Sequence, residues 1–287
     1  MEGFVNASGG LVNARQGLSH LQALPQPASV EPYYLPTGDE ISVFTQCHLR
    51  SLAVMLKGPT GCGKTRFIEH MAWRLKRPLV TVSCHDDLSA ADLVGRFLIR
   101  DNGTVWQDGP LTRAVRLGAI CYLDEVVEAR QDAVVVIHPL TDYRRILPID
   151  KTGELIEAAA GFQLVISYNP GYQHVSKDLK PSTRQRFVAL EFDFPPAEQE
   201  IEIIVHESGA QRPIVHDLVA LAGRIRRLGD RGLAEVPSPR LLVATARLIA
   251  NGIAPRLACY VGLVSPLSDD PGMIAAMRDL VDAVLVD

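Results

Sequence analysis

Eight consecutive residues, Gly58, Pro59, Thr60, Gly61, Cys62, Gly63, Lys64 and Thr65, carry the spacing Gly-x4-Gly-Lys-Thr. That spacing suits the phosphates of a nucleotide. The glycines let the backbone turn so that successive N–H groups wrap a β-phosphate, and a helix opening near Lys64 points the positive end of its dipole at the same place. Lys64 adds a point charge at the β- and γ-phosphates, and the Thr65 hydroxyl is a ligand for Mg²⁺. The stretch follows an apolar run, Leu52–Leu56, and precedes a helical one, Thr65–Leu75, which is the context such a loop requires. An ordinary glycine-rich turn needs neither the lysine nor the hydroxyl.

Two further strand ends carry chemistry. Ala119–Leu123 (AICYL) runs into Asp124 and Glu125, and packing gives no reason for two acids there. Beside a phosphate loop, Asp124 serves the Mg²⁺ shell, and Glu125 orients and polarises a water for in-line attack on the γ-phosphate. The second acid favours hydrolysis by water over transfer to a bound acceptor. Phe162–Tyr168 (FQLVISY) ends in Asn169-Pro170. Asn-Pro alone starts a turn, but in this series the Asn169 amide is placed to touch the attacking water or the γ-phosphate.

The elements that must hold these residues read as an α/β fold. Short apolar runs at Leu52–Leu56, Pro78–Ser83, Ala119–Leu123, Phe162–Tyr168 and Phe187–Phe192 alternate with helical stretches at Thr65–Leu75, Leu111–Leu117 and Gln131–Leu140. Wholly apolar strands alternating with helices imply a parallel sheet covered on both faces. After Pro195-Pro196 no strand pattern follows. Helical spacing covers about 197–207, 213–228, 238–251 and 270–286, with a further stretch at 254–263, as in Leu241, Leu242, Thr245, Leu248 and Ile249. The expected organisation is an N-terminal arm over 1–30, an α/β nucleotide-binding domain over 31–196 and a small C-terminal helical lid domain over 197–287.

Composition removes other classes. The chain has 287 residues, 47% apolar and 22% charged, with a net charge of -4, so it is globular and carries no polyanion-binding surface as its main feature. Lysine is scarce and none follows Lys180. No uninterrupted apolar run reaches the roughly 18 residues of a spanning helix, and Met1–Gly10 lacks the basic start and apolar core of a signal peptide. Five widely spaced cysteines, an odd number without a CxxC, indicate a reducing cytoplasm. His85 and His138 have no ligand-spaced partner and all eight histidines read as structural or surface, so no metal cage beyond Mg²⁺ is expected.

These residues together resemble the AAA+ ATPases, within them the MoxR branch, and there most closely the CbbQ/NorQ group. The similarity runs from about Leu35 to Leu248 and is carried by the strings at 56–65, 92–96 (DLVGR), 106–111 (WQDGPL) and, most discriminating, 179–187 (LKPSTRQRF). The resemblance implies that Gly58–Thr65 is a Walker A loop, Ala119–Glu125 a Walker B strand, Asn169 a sensor 1, Arg186 or Arg184 an arginine finger acting on a neighbouring subunit, and Arg240 a sensor 2. On an extended segment Arg184 and Arg186 would share a face. Pro239, ahead of Arg240, stands where relatives carry threonine, and proline in a first helical turn is tolerated. The family implies ATP and Mg²⁺, a homohexameric ring and remodelling of a partner protein. It further implies a von Willebrand factor A domain adaptor of the CbbO type with Rubisco as client, or alternatively maturation of nitric oxide reductase in the NorQ manner. A P-loop small-molecule kinase would share the loop but not the late arginines or the helical lid. Nucleic-acid and membrane partners are not expected.

Three segments carry further expectations. Phe97–Pro110 interrupts what should be a helix after Asp92–Gly95, and Arg144–Gly161 reads as a hairpin turning at Asp150–Gly153. In MoxR-type proteins such insertions face the ring's pore. Arg224, Arg226, Arg227 and Arg231 form one basic patch suited to an acidic adaptor surface.

Overall fold

The computed structural model describes residues 28–100, 103–170, 179–229, 233 and 235–285. Nearly all of the expected N-terminal arm lies outside the described residues. The strands are β1 (Val54–Lys57), β2 (Leu79–Ser83), β3 (Gly95–Arg100), β4 (Gly103–Asp108), β5 (Ile120–Asp124), β6 (Ile146–Ile149), β7 (Glu154–Glu157), β8 (Gln163–Tyr168) and β9 (Val188–Glu191). The helices are α1 (Glu40–Leu49), α2 (Lys64–Arg74), α3 (Ala90–Val94), α4 (Pro110–Leu117), α5 (Gln131–Val136), α6 (Pro181–Arg184), α7 (Ala197–Ser208), α8 (Arg212–Arg226), α9 (Pro239–Ala250), α10 (Pro255–Cys259) and α11 (Pro271–Val284).

Five strands form one sheet in the order β2-β5-β8-β1-β9, every neighbouring pair parallel. The expected parallel sheet is therefore present, and the period of two in a strand explains how both faces are covered. Val54, Leu56, Ile120, Tyr122 and Val165 point to one face, where they meet Phe44 and Cys47 of α1 and Phe67, Ile68 and Met71 of α2. Met55, Cys121, Leu123, Leu164 and Ile166 point to the other and meet Leu111, Ala114 and Val115 of α4. β8 is buried along its whole length. The ends of β1, β5 and β8 thus emerge side by side, which brings Gly58, Asp124 and Asn169 to one edge.

Two local readings change. α1 was not expected, because only Phe44 and Cys47 form its buried apolar stripe. It is set by Glu40, whose carboxylate accepts from Tyr34 OH at 2.7 Å and from Thr37 N–H at 2.9 Å. The stretch 131–140 is not one helix. α5 stops at Val136 and a 3₁₀ turn covers His138–Leu140, because Pro139 has no N–H to donate and disfavours helix before it. The interruption expected at 97–110 is present: α3 stops at Val94, the antiparallel ribbon β3–β4 follows, and helix resumes with α4 at Pro110. The ribbon β6–β7 turns where expected, at 150–153. Arg116 of α4 joins the two ribbons, reaching Asp108 at 2.9 Å and Glu154 at 2.6 Å.

After β9 the described chain is helical, and its stretches fall within two residues of the expected ones, α10 continuing through a π-helical turn at Tyr260–Val264. A separate apolar core holds this region, with Ile204, Leu218, Leu221, Leu242, Ala246, Leu263, Met277 and Val281 fully buried. The basic patch is smaller than expected. Arg226 is internal: its guanidinium grips the fully buried Glu200 at 2.8 and 2.6 Å, donates to Pro237 O at 2.9 Å and lies over the Phe194 ring at 4.4 Å. Arg224 and Arg227 are exposed, and Arg231 lies outside the described residues. Glu200→Ala leaves the Arg226 charge without its partner, so the expected loss of stability is about 3 kcal/mol, read as a lower urea midpoint with an unchanged slope. A wild-type midpoint would show that the pair adds nothing to the helical region.

Candidate functional site

A cavity of about 490 Å³ opens between the strand ends and the helical region, within the size range of small-molecule and cofactor pockets. Its polar side is the loop from β1 to α2. Gly58 leaves β1 donating to Tyr168 O at 3.4 Å, and a Cβ there would lie 2.3 Å from Phe192 O, so the loop leaves the sheet in close contact with the segment after β9. Lys64 opens α2 behind Gly63, and its ammonium donates to Gly58 O at 2.8 Å and Pro59 O at 2.9 Å. The charge is therefore held in the mouth of the loop that carries it. Cys62 is buried, and burial pushes its thiol up, with Lys64 partly opposing.

Asp124 and Glu125 sit at the end of β5 and both line the cavity with Thr65. One Asp124 oxygen accepts from Tyr122 OH at 2.7 Å and from the buried Ser167 hydroxyl at 2.5 Å. The Ser167 hydroxyl in turn accepts the Glu125 N–H at 3.0 Å. Glu125 needs that anchor, since its backbone is left-handed at φ 55 and ψ 49, a conformation that costs a non-glycine residue about 1 kcal/mol or more. The turn swings its exposed side chain away from the strand line into the cavity. Tyr122 is held neutral, its phenol pushed up by burial and then by the Asp124 charge. Asp124, Tyr122 and Ser167 are thus one hydrogen-bonded group that also holds the Glu125 N–H. Asn169 reaches the loop, with its amide donating to Thr60 Oγ1 at 3.3 Å.

The opposite wall comes from the helical region. Gly61 has φ 75, and a Cβ on it would lie 2.6 Å from Ser238 Oγ and 3.4 Å from Arg240 Cβ. The phosphate loop and the first turn of α9 are in contact, and Arg240 lines the cavity. Pro239 occupies the first turn without disturbing α9. The far end is apolar, with Tyr34, Leu35, Ile203 and Val243. Glu207 holds that end closed: it pairs with Arg66 of α2 at 3.3 Å, and its carbonyl accepts from Arg247 of α9 at 2.8 Å. Tyr33 stacks on His206 with ring centres 3.6 Å apart.

Arg184 and Arg186 are not brought to this cavity. The extended-segment expectation fails: Arg184 ends α6, and the turn continues through Arg186 N–H to Thr183 O at 3.1 Å. Residues two apart on a helical turn face different ways. Arg184 lies within electrostatic reach of Lys57, whereas Arg186 meets Asp142 at 3.4 Å.

Sequence reasoning missed Ser167, Tyr122, Glu207 and the 33–37 segment. A serine inside the otherwise apolar run LVISY was the one available signal for the first; the others belong to apolar or ordinary surface patterns. Among the described residues no group of His, Cys, Asp and Glu could form a metal cage, and no helix is long and apolar enough to cross a membrane. All five cysteines are buried and free.

Comparison with known proteins agrees with this geometry. Residues 53–187 match the family model of the AAA domain, dynein-related subfamily, and residues 200–284 match the CbbQ/NirQ/NorQ C-terminal model. The chain is 59% identical over 266 residues to the protein NorQ of Paracoccus denitrificans, covering 93% of this chain and 98% of that one. It is 59% identical over 248 residues to the protein CbbQ of Hydrogenophilus thermoluteolus, covering 86% and 93%. A mutant RuvB of Thermotoga maritima, 15% identical, superposes with a TM-score of 0.51 over 84% of this chain and 68% of that one, which is a likeness of fold alone.

Proposed function

The chain belongs to the CbbQ/NirQ/NorQ family of AAA ATPases, and from that premise we propose that it is a homohexameric motor that uses ATP hydrolysis to remodel a partner enzyme. The observation that carries the reading is the contact between Gly61 and the Ser238–Arg240 turn, because a nucleotide held there touches both the α/β part and the helical part and links its own chemistry to their relative position. We take 31–196 and 197–287 as the two working units. A small-molecule kinase falls away, since 200–284 match a family-specific C-terminal model.

In this reading the loop N–H groups and Lys64 hold the β- and γ-phosphates. Thr65 and Asp124 are hard oxygen donors lining one cavity and fit Mg²⁺, which prefers such ligands; bound there, it would neutralise charge on the phosphates. Glu125 orients a water, whose oxygen bonds to the γ-phosphorus as the bond to the bridging oxygen breaks. The water's proton passes to the Glu125 carboxylate, leaving ADP and phosphate. Asn169, held against Thr60, reports the γ-phosphate to β8, and Arg240 reports it to α9. Arg186, or Arg184, reaches the nucleotide of the next subunit. The apolar end at Tyr34, Leu35 and Val243 takes the base.

Force on a client needs a contact surface, and the two ribbons supply one. Ile99 is 91% exposed and Phe97 47% on β3, with Leu155 60% exposed on β7. These ribbons face the pore in the proposed ring. Exposed Arg224 and Arg227 remain to meet an acidic adaptor carrying a von Willebrand factor A domain, of the CbbO type. Rubisco blocked by a tight sugar phosphate is the client we favour, in the cytoplasm, without nucleic-acid or membrane partners. Equal identity to NorQ and CbbQ keeps maturation of nitric oxide reductase as the second reading. The expected result is that ATP, this protein and its adaptor restore carboxylation to inhibited Rubisco. No recovery with the cognate adaptor present, alongside successful maturation of nitric oxide reductase, would discard Rubisco and leave the ATPase standing.

A further inference from the structure

Arg186 is oddly held for a half-buried arginine. Its side chain is 34% exposed and makes, among the described residues, one ion pair, with Asp142 Oδ2 at 3.4 Å. Its Nε is buried and meets no acceptor among the described residues. A buried donor without a partner is costly, and native structures keep few of them. Asp142 itself is far better satisfied by another residue. It accepts from Arg144 Nε at 3.0 Å, from Arg144 Nη2 at 2.7 Å and from the Arg144 backbone N–H at 3.1 Å. Arg144 also holds its carboxyl down to about 2, ahead of the Arg186 charge. The carboxylate is therefore always charged at working pH, fixed in place by Arg144, and only lightly engaged with Arg186. His138 Nε2 lies 3.1 Å from Thr183 Oγ1, which pins the 138–144 turn against α6.

We infer that Asp142 is a positioning residue for Arg186: it aims the guanidinium outward, and its grip is weak enough to release the arginine to a phosphate presented by a neighbouring subunit. This rests on reading Arg186 as the arginine finger. A firm bidentate pair would keep the finger at home, because charge-assisted bidentate bonds are the strong ones. No partner at all would let a long side chain sample many rotamers before each turnover. Arg144 sets the balance by occupying most of the carboxylate. It stands at the foot of β6, so a displacement of the β6–β7 ribbon alters the hold on Arg186.

The test is subunit mixing. Asp142→Asn alone is expected to lower kcat by about ten- to a hundredfold, the scale of a small misplacement, with KM for ATP unchanged and Asp142→Glu recovering most of the loss. Mixed with Glu125→Gln subunits, Asp142→Asn should regain activity, because some interfaces then pair an intact Glu125 with an Arg186 aimed by an intact Asp142. A variant that merely folds badly, or one acting on its own subunit's nucleotide, regains none. If Arg186→Ala recovers in such mixtures and Asp142→Asn does not, the inference is wrong and the finger reading stands. Full turnover by Arg186→Ala overturns both. Should Asp142→Asn fail to fold, Arg144→Ala reads the same device: it frees the carboxylate to grip Arg186, and kcat falls with the same recovery on mixing. Unchanged kcat in Arg144→Ala rings would overturn the inference.

Discussion

Glu125→Gln is expected to bind ATP as tightly as the unaltered protein and to hydrolyse it about a thousandfold more slowly, within the usual range for loss of a catalytic base. The amide keeps the size of the carboxylate and the Glu125 N–H bond to Ser167, so the turn that carries the side chain survives. Asp124, the proposed Mg²⁺ ligand, is anchored through Tyr122 and Ser167 and does not depend on Glu125. What is lost is the negative oxygen that polarises water and takes its proton. Calorimetric titration with ATP and phosphate release measured on one preparation separate the two effects. The variant should also accumulate as an ATP-bound ring of about six times the monomer mass. Wild-type phosphate release would remove Glu125 from the mechanism. Weakened ATP binding would instead mean that the acid holds the turn rather than the water.

Arg186→Ala is expected to cost a thousandfold or more in turnover, the effect of losing an arginine finger being on the order of 10³–10⁵, while each subunit still binds ATP. The geometry gives the reason: Arg186 does not line the cavity of its own subunit, so its loss leaves the local phosphate contacts intact. Mixing with Glu125→Gln subunits should restore part of the activity through interfaces that combine an intact Glu125 with an intact Arg186. Absence of recovery at every ratio, in rings shown to be mixed, would exclude action between subunits. Arg184→Ala makes the matching control. It ends α6 on another face of the turn, and a larger loss there would move the finger to Arg184.

The sequence by itself determined whatever is local along the chain. Gly58–Thr65 must form its own loop, because eight contiguous residues supply the turn, the helix start, the cation and the hydroxyl. Apolar runs of five to seven residues ending in Asp124-Glu125 and Asn169 must be buried strands with polar ends, since nothing else covers so much apolar surface in a chain of this composition. The helices after Pro196 followed from period alone. Their internal charges did not. A helical wheel shows Arg226 as one of a basic group, and only folding reveals that Glu200, 26 residues earlier, has taken it inside. The same holds for contacts made across the sheet. Ser167 anchors both Asp124 and Glu125 because β8 lies beside β5 in the strand order, and no spacing in the sequence states that order. Arg240 reaches the phosphate loop because α9 packs back on Gly61. Arg184 and Arg186 part company because a short helix with Pro181 at its start replaces the expected extended segment. Motifs are legible where the chemistry needs neighbours in the chain; strand order, helix docking and ion pairing depend on free energy gained between residues tens to hundreds of positions apart, and the tertiary structure alone decides them.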